Sequence, residues 1–216
     1  MDRKLIWLAV IAVLTACSVS SMAQVQVSSL GRTTSITTSA DPINPDYSAM
    51  VFTTDAKSYL LNSITLSLYE NAAGTLDLRL FAVSGGLPTG SALFSTFTHP
   101  AFSPAFVFGN TAFTPTTTFI LNASTSYAIV LSSGNGQYIF QGTVSSNGFD
   151  TPAGNLWTLG ANIPTSRDGT SWTNHPSYNL EIAVDATVVP EPSYSAFLAL
   201  GAFGFIAWSR RRNPVA

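Results

Sequence analysis

The sequence predicts an all-β body, an antiparallel β-sandwich or jelly roll, set between an N-terminal signal peptide and a C-terminal transmembrane helix. Three observations carry this. Apolar residues through the middle of the chain recur with a period of two, as at Ile64, Leu66 and Leu68. No stretch between 24 and 188 sustains the 3.6-residue period of a helix. Each end carries a charge-free apolar run beside basic residues.

The N-terminal run comes first. Arg3 and Lys4 precede Leu5 to Ala16, where Thr15 is the only polar residue. Small residues then lead to Ser21-Met22-Ala23. A basic start, an apolar stretch and a small-residue cleavage site form, in that order, a secretory signal. A helix over 5–16 would span about 18 Å, too short for a bilayer core of about 30 Å. A buried core helix is the plainer alternative, but it leaves the basic flank and the cleavage site unexplained. Cleavage by signal peptidase after Ala23 would follow export by the Sec machinery. A second processing route stands open, because Leu14-Thr15-Ala16-Cys17 resembles a bacterial lipoprotein box. Cys17 would then be the lipidated first residue. It is the chain's only cysteine, so the mature protein has no internal disulfide by either route and depends on packing.

The body is predicted over 24–188. Gln24 to Ala40 is Ser/Thr-rich and reads as a first edge strand or a loose arm. A strand follows over Met50–Thr54. Ile64, Leu66 and Leu68 alternate with Thr65, Ser67 and Tyr69; after Asn71-Ala72-Ala73-Gly74, Leu76, Leu78 and Leu80 alternate with Asp77, Arg79 and Phe81. These two runs predict a hairpin with a four-residue turn. Gly85 to Ser91 reads as a turn and not a phosphate loop, since no Lys follows Gly90. Short strands are expected over Ala92–Thr98, Ala105–Phe108, Phe119–Leu121, Gln137–Gln141 and Leu156–Leu159. Tyr127–Leu131 and Leu180–Asp185 alternate cleanly. Turn residues punctuate the chain about every ten residues, a spacing that fits a sandwich and not a βαβ fold. About 165 residues make one domain, large enough to bury about 70% of its chain surface.

The tail has three parts in order: Val189-Pro190-Glu191-Pro192-Ser193, the charge-free run Tyr194 to Trp208, and Arg210-Arg211-Arg212. Apolar residues cover every side of the run, which points to lipid or full burial. From Pro192 to Ser209 it would span about 27 Å as a helix, enough with arginine snorkelling. The arginine triplet stops transfer and stays cytoplasmic, leaving the body on the periplasmic side. Two prolines bias their neighbours to extended geometry, so Glu191 is expected in an accessible segment at the outer membrane face.

This tail resembles the PEP-CTERM sorting signal of exopolysaccharide-producing Gram-negative bacteria, over Val189 to Pro214. The resemblance implies recognition by exosortase, an integral-membrane cysteine-dependent enzyme, and a cut near Pro190-Glu191-Pro192. A permanent tail anchor is the plain alternative. The body is similar to choice-anchor type R domains. The residues that carry this are Val51-Phe52-Thr53-Thr54, Tyr59 to Leu66, Gly86-Leu87-Pro88-Thr89-Gly90 and Leu121 to Tyr127. That resemblance implies anchoring and no particular chemistry.

Charge narrows the functions. Only 9% of residues are charged, against roughly 25% in ordinary domains. Between the two ends, Arg32, Lys57, Arg79 and Arg167 face nine acids, a net charge of −5. Nucleic-acid binding needs a basic face and is excluded. His99 and His175 each precede a proline and read as loop histidines; no G-x-S-x-G elbow accompanies them. No cofactor is expected. Asp41, Asn44 and Asp46 are the one weak Ca²⁺ candidate, and turn chemistry around Pro42 and Pro45 explains them as simply. The remaining lead is aromatic. Trp157 and Trp172 lie in a polar, Gly-rich region with Asp150, Asn155, Asp168 and Asn174. They form either a core cap or a platform on which a sugar ring stacks while the carboxylates hold its hydroxyls. The expected role is therefore that of an exported non-enzymatic protein, structural or adhesive at the cell surface or in the exopolysaccharide biofilm matrix. A carbohydrate-binding module is the alternative, and a secreted hydrolase has less behind it.

Overall fold

The computed structural model describes residues 24–31, 47–104, 106–134, 136–144, 157–160, 162–176 and 178–189. All of its regular structure is β. One sheet holds β1 (Gln24–Ser28), β3 (Tyr59–Ala72), β6 (Phe97–Thr98), β7 (Gly109–Pro115), β8 (Ile120–Leu121), β10 (Gln137–Phe140) and β16 (Ile182–Val188). The other holds β2 (Tyr47–Thr53), β4 (Leu76–Ser84), β5 (Leu87–Phe94), β9 (Ser126–Ser133), β12 (Thr158–Leu159), β13 (Asn162–Ser166) and β14 (Thr173–Pro176). A separate two-stranded ladder joins β11 (Gly142–Val144) to β15 (Tyr178–Leu180). The first sheet runs β1-β16-β3-β7-β6 with β8 and β10 also on β3; the second runs β14-β13-β2-β9-β4-β5 with β12 also on β2. Every pairing among the described residues is antiparallel.

The two-residue period explains why the sheets pack. Ile64, Leu66 and Leu68 of β3 and Ile182 and Val184 of β16 meet Leu76, Leu78 and Leu80 of β4 and Tyr127, Ile129 and Leu131 of β9 in one core. Their polar or smaller alternates face outward, as the pleat requires. The predicted hairpin between 64–68 and 76–80 does not form, however. β3 and β4 lie in different sheets, so residues 73–75 carry the chain across the core as an arch. A tight hairpin needs positive φ at its centre, and no residue from Asn71 to Gly74 has it. Gly85 and Gly86 do, at φ 60° and 80°, and they close the β4–β5 hairpin, where Ser84 pairs with Leu87. β3 and β4 find their partners far off in sequence instead: β16 pairs along β3 from Tyr59 to Leu66, and β9 along β4 from Leu76 to Ala82.

Other boundaries moved for local reasons. The expected turn over Gly85–Ser91 shrinks to Gly85-Gly86, and Leu87 onward is strand. The expected strand over Ala92–Thr98 divides at Ser95-Thr96, where the Thr96 carbonyl accepts the Thr116 N–H (2.9 Å). The strand expected over Ala105–Phe108 is absent from Phe106 to Phe108. Phe106 sits at φ 67° in the left-handed region, with the Val107 N–H donating to the Pro104 carbonyl (3.1 Å). A left-handed residue cannot continue a strand. Of the two readings of Gln24–Ala40, the edge strand holds for Gln24–Ser28.

The first and last described strands of the body meet at one place. Gln24 pairs with Ala186, and Val188 pairs with Tyr59. Gln24 and Val188 therefore leave the same end of the same sheet, on adjacent strands. The 54–58 connection lies at that end too, tied by the Thr54 hydroxyl to the Asn122 carbonyl (2.7 Å). The arch at 73–75, the end of β9 and the β13–β14 loop lie at the opposite end, since Ser166 pairs with Tyr47 and Ser133 with Leu76.

Candidate functional site

The β13–β14 loop, residues 167–172, is built around one carboxylate. Asp168 Oδ1 accepts hydrogen bonds from the Ser171 N–H (2.7 Å), the Thr170 N–H (2.8 Å) and the Ser166 hydroxyl (2.9 Å). Its Oδ2 accepts from the Ser171 hydroxyl (2.9 Å). Ser166 Oγ in turn accepts from the Gly169 and Asp168 N–H groups. The backbone N–H donors of Ser171 and Thr170, followed by the two hydroxyls, hold the Asp168 carboxyl far below the usual carboxylate range. A depressed pKa means that its contribution to loop order is present above the ordinary value of 3.8 and fades only as pH falls through the folded value. Gly169 completes the turn at φ 72°, and a Cβ there would stand 3.1 Å from Cζ of Tyr47. Both the conformation and the close ring favour glycine.

This loop carries Trp172 onto the outer face of the second sheet. Ala49, Ala128 and Val130 form a floor of small residues there, and Tyr47, Val51, Phe81, Val83 and Trp172 pack around it. The register explains the floor: Ala49 pairs with Val130, and Ala128 lies between Val51 and Phe81. Trp172 is half-buried and edges a groove of about 200 Å³ between the loop and Phe81, Pro88 and Thr89. A second, polar cleft of about 530 Å³ opens at the β13–β14 hairpin, and Arg167 and His175 are among its lining residues.

The two tryptophans therefore separate. Trp157 is 1% exposed. Its ring stacks on Phe52 (5.5 Å, 6°) and meets Tyr59 edge-on (4.8 Å, 84°). A ring covered on both sides offers no face to a sugar, so the platform reading fails for Trp157 and the core-cap reading holds. Its indole N–H is the one buried side-chain polar atom without a hydrogen-bond partner among the described residues. The Tyr59 hydroxyl lies near enough to feel that N–H, but outside hydrogen-bond geometry. Tyr138 and Phe140 are core residues as well. Burial, then the charge of Glu70 and a hydrogen bond to it, pushes the Tyr138 phenol up to about 12. Asp168 is exposed, but its oxygens are spent on its own loop.

The histidines lie apart, at strands of different sheets. His99 follows β6, its ring stacked on Phe102 at 4.3 Å and its Nδ1 against the Pro100 carbonyl. His175 lies exposed on β14. Among the described residues neither ring is hydrogen-bonded to a serine or a carboxylate, and no group of three His, Cys, Asp or Glu side chains is placed to hold a metal. Asp41, Asn44 and Asp46, with Asp150 and Asn155, lie outside the described residues. So do Cys17, Ala23, Pro190, Glu191, Pro192 and the arginine triplet. Val189 is described and half-buried, just past β16. Among the described residues no helix is long and apolar enough to cross a membrane.

Sequence reasoning passed over Arg167, Thr165 and Thr173. A signal was there: Thr165-x-Arg167 and Thr173-x-His175 flank a Ser/Asp/Gly turn at two-residue spacing, which puts each pair on one face of a hairpin. No family model matches the chain, and no curated protein matches it.

Proposed function

We propose that this chain is an exported, non-enzymatic β-sandwich protein of the cell surface or exopolysaccharide matrix. The N-terminal signal carries it out through the Sec machinery. The C-terminal tail holds it in the inner membrane until exosortase cuts near Pro190-Glu191-Pro192. The body then serves a structural or adhesive role. One observation supports this reading above the rest: Gln24 and Val188 lie on adjacent strands at the same end of one sheet. Removal of 1–23 and of the tail from Pro190 onward costs no described strand.

The test is cell fractionation with terminal-peptide mass spectrometry on cells with and without exosortase. Processed protein outside the inner membrane in the first, and tail-bearing protein in the membrane in the second, is the expected pair.

A second reading, carbohydrate binding, rests on Trp172. Its half-exposed ring beside the 200 Å³ groove has the amphipathic character of a sugar-stacking surface. Trp172→Ala should then abolish glycan binding while leaving export intact.

A further inference from the structure

The polar cleft at the β13–β14 hairpin has a donor surplus. Ser166 and Ser171, two of its lining hydroxyls, already donate to Asp168, the carboxylate that shares the cleft. That carboxylate accepts four hydrogen bonds, which matches the roughly four lone-pair sites of an ionised carboxyl. Little acceptor capacity is left. The unspent groups are of the other kind. Arg167 is exposed, and the ion pair found among the described residues, Arg79–Asp77, does not involve it. Its guanidinium brings five N–H donors in a rigid fork. Thr165 and Thr173, which pair across the hairpin, and His175 line the same cleft.

From this we propose that the cleft binds an anionic sugar, with Arg167 gripping the carboxylate of a uronate residue and Thr165, Thr173 and His175 meeting its ring hydroxyls. A planar carboxylate matches the guanidinium fork in a bidentate pair. A volume of about 530 Å³ lies within the range of small-ligand sites. The −5 charge of the body opposes a polyanion at long range. Beyond a Debye length of about 8 Å that repulsion is largely screened at physiological salt, so the groups in the cleft decide. The proposal rests on the matrix reading above and deepens it by naming a ligand class for the β13–β14 cleft.

Affinity electrophoresis of the full-length chain in mild detergent, through gels containing polygalacturonate, dextran or dextran sulfate, tests it. Polygalacturonate should retard the protein and neutral dextran should not. Arg167→Ala and the uncharged but polar Arg167→Gln should each weaken retardation roughly ten- to hundredfold. Arg79→Ala, which removes an equal charge elsewhere, should leave it unchanged. No retardation by polygalacturonate, equal retardation by dextran, or indifference to both Arg167 variants would overturn the proposal. Retardation by dextran sulfate alone would overturn the uronate assignment in favour of a sulfated sugar. None of these outcomes touches export or tail processing, which fractionation reads separately.

Discussion

At Trp157 and Trp172 the same side chain does two jobs, and burial decides which. Trp157 fills the core between Phe52 and Tyr59, so Trp157→Ala should cost about 3–5 kcal/mol by leaving a large cavity. Trp172 covers three small residues from outside, and Trp172→Ala should cost about 1 kcal/mol. Denaturant unfolding of the two variants measures the gap; equal losses would mean that the rings are not so divided. Sequence could not separate them, because both sit in turn-rich stretches where alternation is too short to assign a face. Glu181 is a subtler case. It is 3% exposed, and among the described residues its carboxylate accepts one hydrogen bond, from the Gly31 N–H at 3.2 Å. Burial raises its carboxyl above the ordinary 4.5, and the Gly31 bond only partly opposes this. A raised pKa means that the folded protein holds the proton more tightly. Stability is therefore fullest below 4.5 and falls as pH rises through the folded value. Glu181→Gln should then stabilise the protein at pH 7, with the gain vanishing below about pH 4. A gain independent of pH would show that the charge is not the cause. The alternation Leu180, Ile182, Val184 predicted one strand, but the structure breaks it at Glu181, between β15 and β16, where the Gly31 turn meets the carboxylate.

Among the elements, the arch between β3 and β4 is where local reading failed. Period-two patterns report that a strand has one apolar face; they do not say which sheet it joins. Asn71 to Gly74 looked like a hairpin turn because its composition is right, yet hairpin geometry needs positive φ, which Gly85-Gly86 supplies and this segment does not. The arch is secured by close backbone approach. The Gly134 N–H donates to the Thr75 carbonyl (3.1 Å), and the Ser133 hydroxyl to the Gly136 carbonyl (2.6 Å). A Cβ on Gly136 would stand 2.7 Å from the Gly74 Cα and 2.9 Å from the Ala72 carbonyl oxygen. Both chains would have to shift, so Gly136→Ala should destabilise by about 1–3 kcal/mol. Gly86→Ala, at an open turn with φ 80°, should cost about 1 kcal/mol by strain alone. Thermal unfolding of the pair checks the order. The strands themselves were legible where alternation ran for five residues or more, as at 127–131, and were mislaid where one left-handed residue, Phe106, broke the run.

For the molecule as a whole, the sequence speaks most clearly at its ends and the structure at its middle. The proposal of addresses at 1–23 and 189–214 rests on charge and hydropathy, the properties that membranes read directly. The β13–β14 cleft was hidden, since Thr165, Arg167, Thr173 and His175 converge only through register. What joins the two readings is the shared exit of Gln24 and Val188, which lets a signal and a tail attach to a body that needs neither for its described core. The most direct measurement is the mass of the terminal peptides of the protein recovered from the matrix of exosortase-bearing cells. A polypeptide that begins at Gln24 and ends between Val189 and Pro192 is the expected result. A chain that begins at Met1 in the cytosol, or that keeps Tyr194 to Arg212 in cells possessing the enzyme, would contradict it.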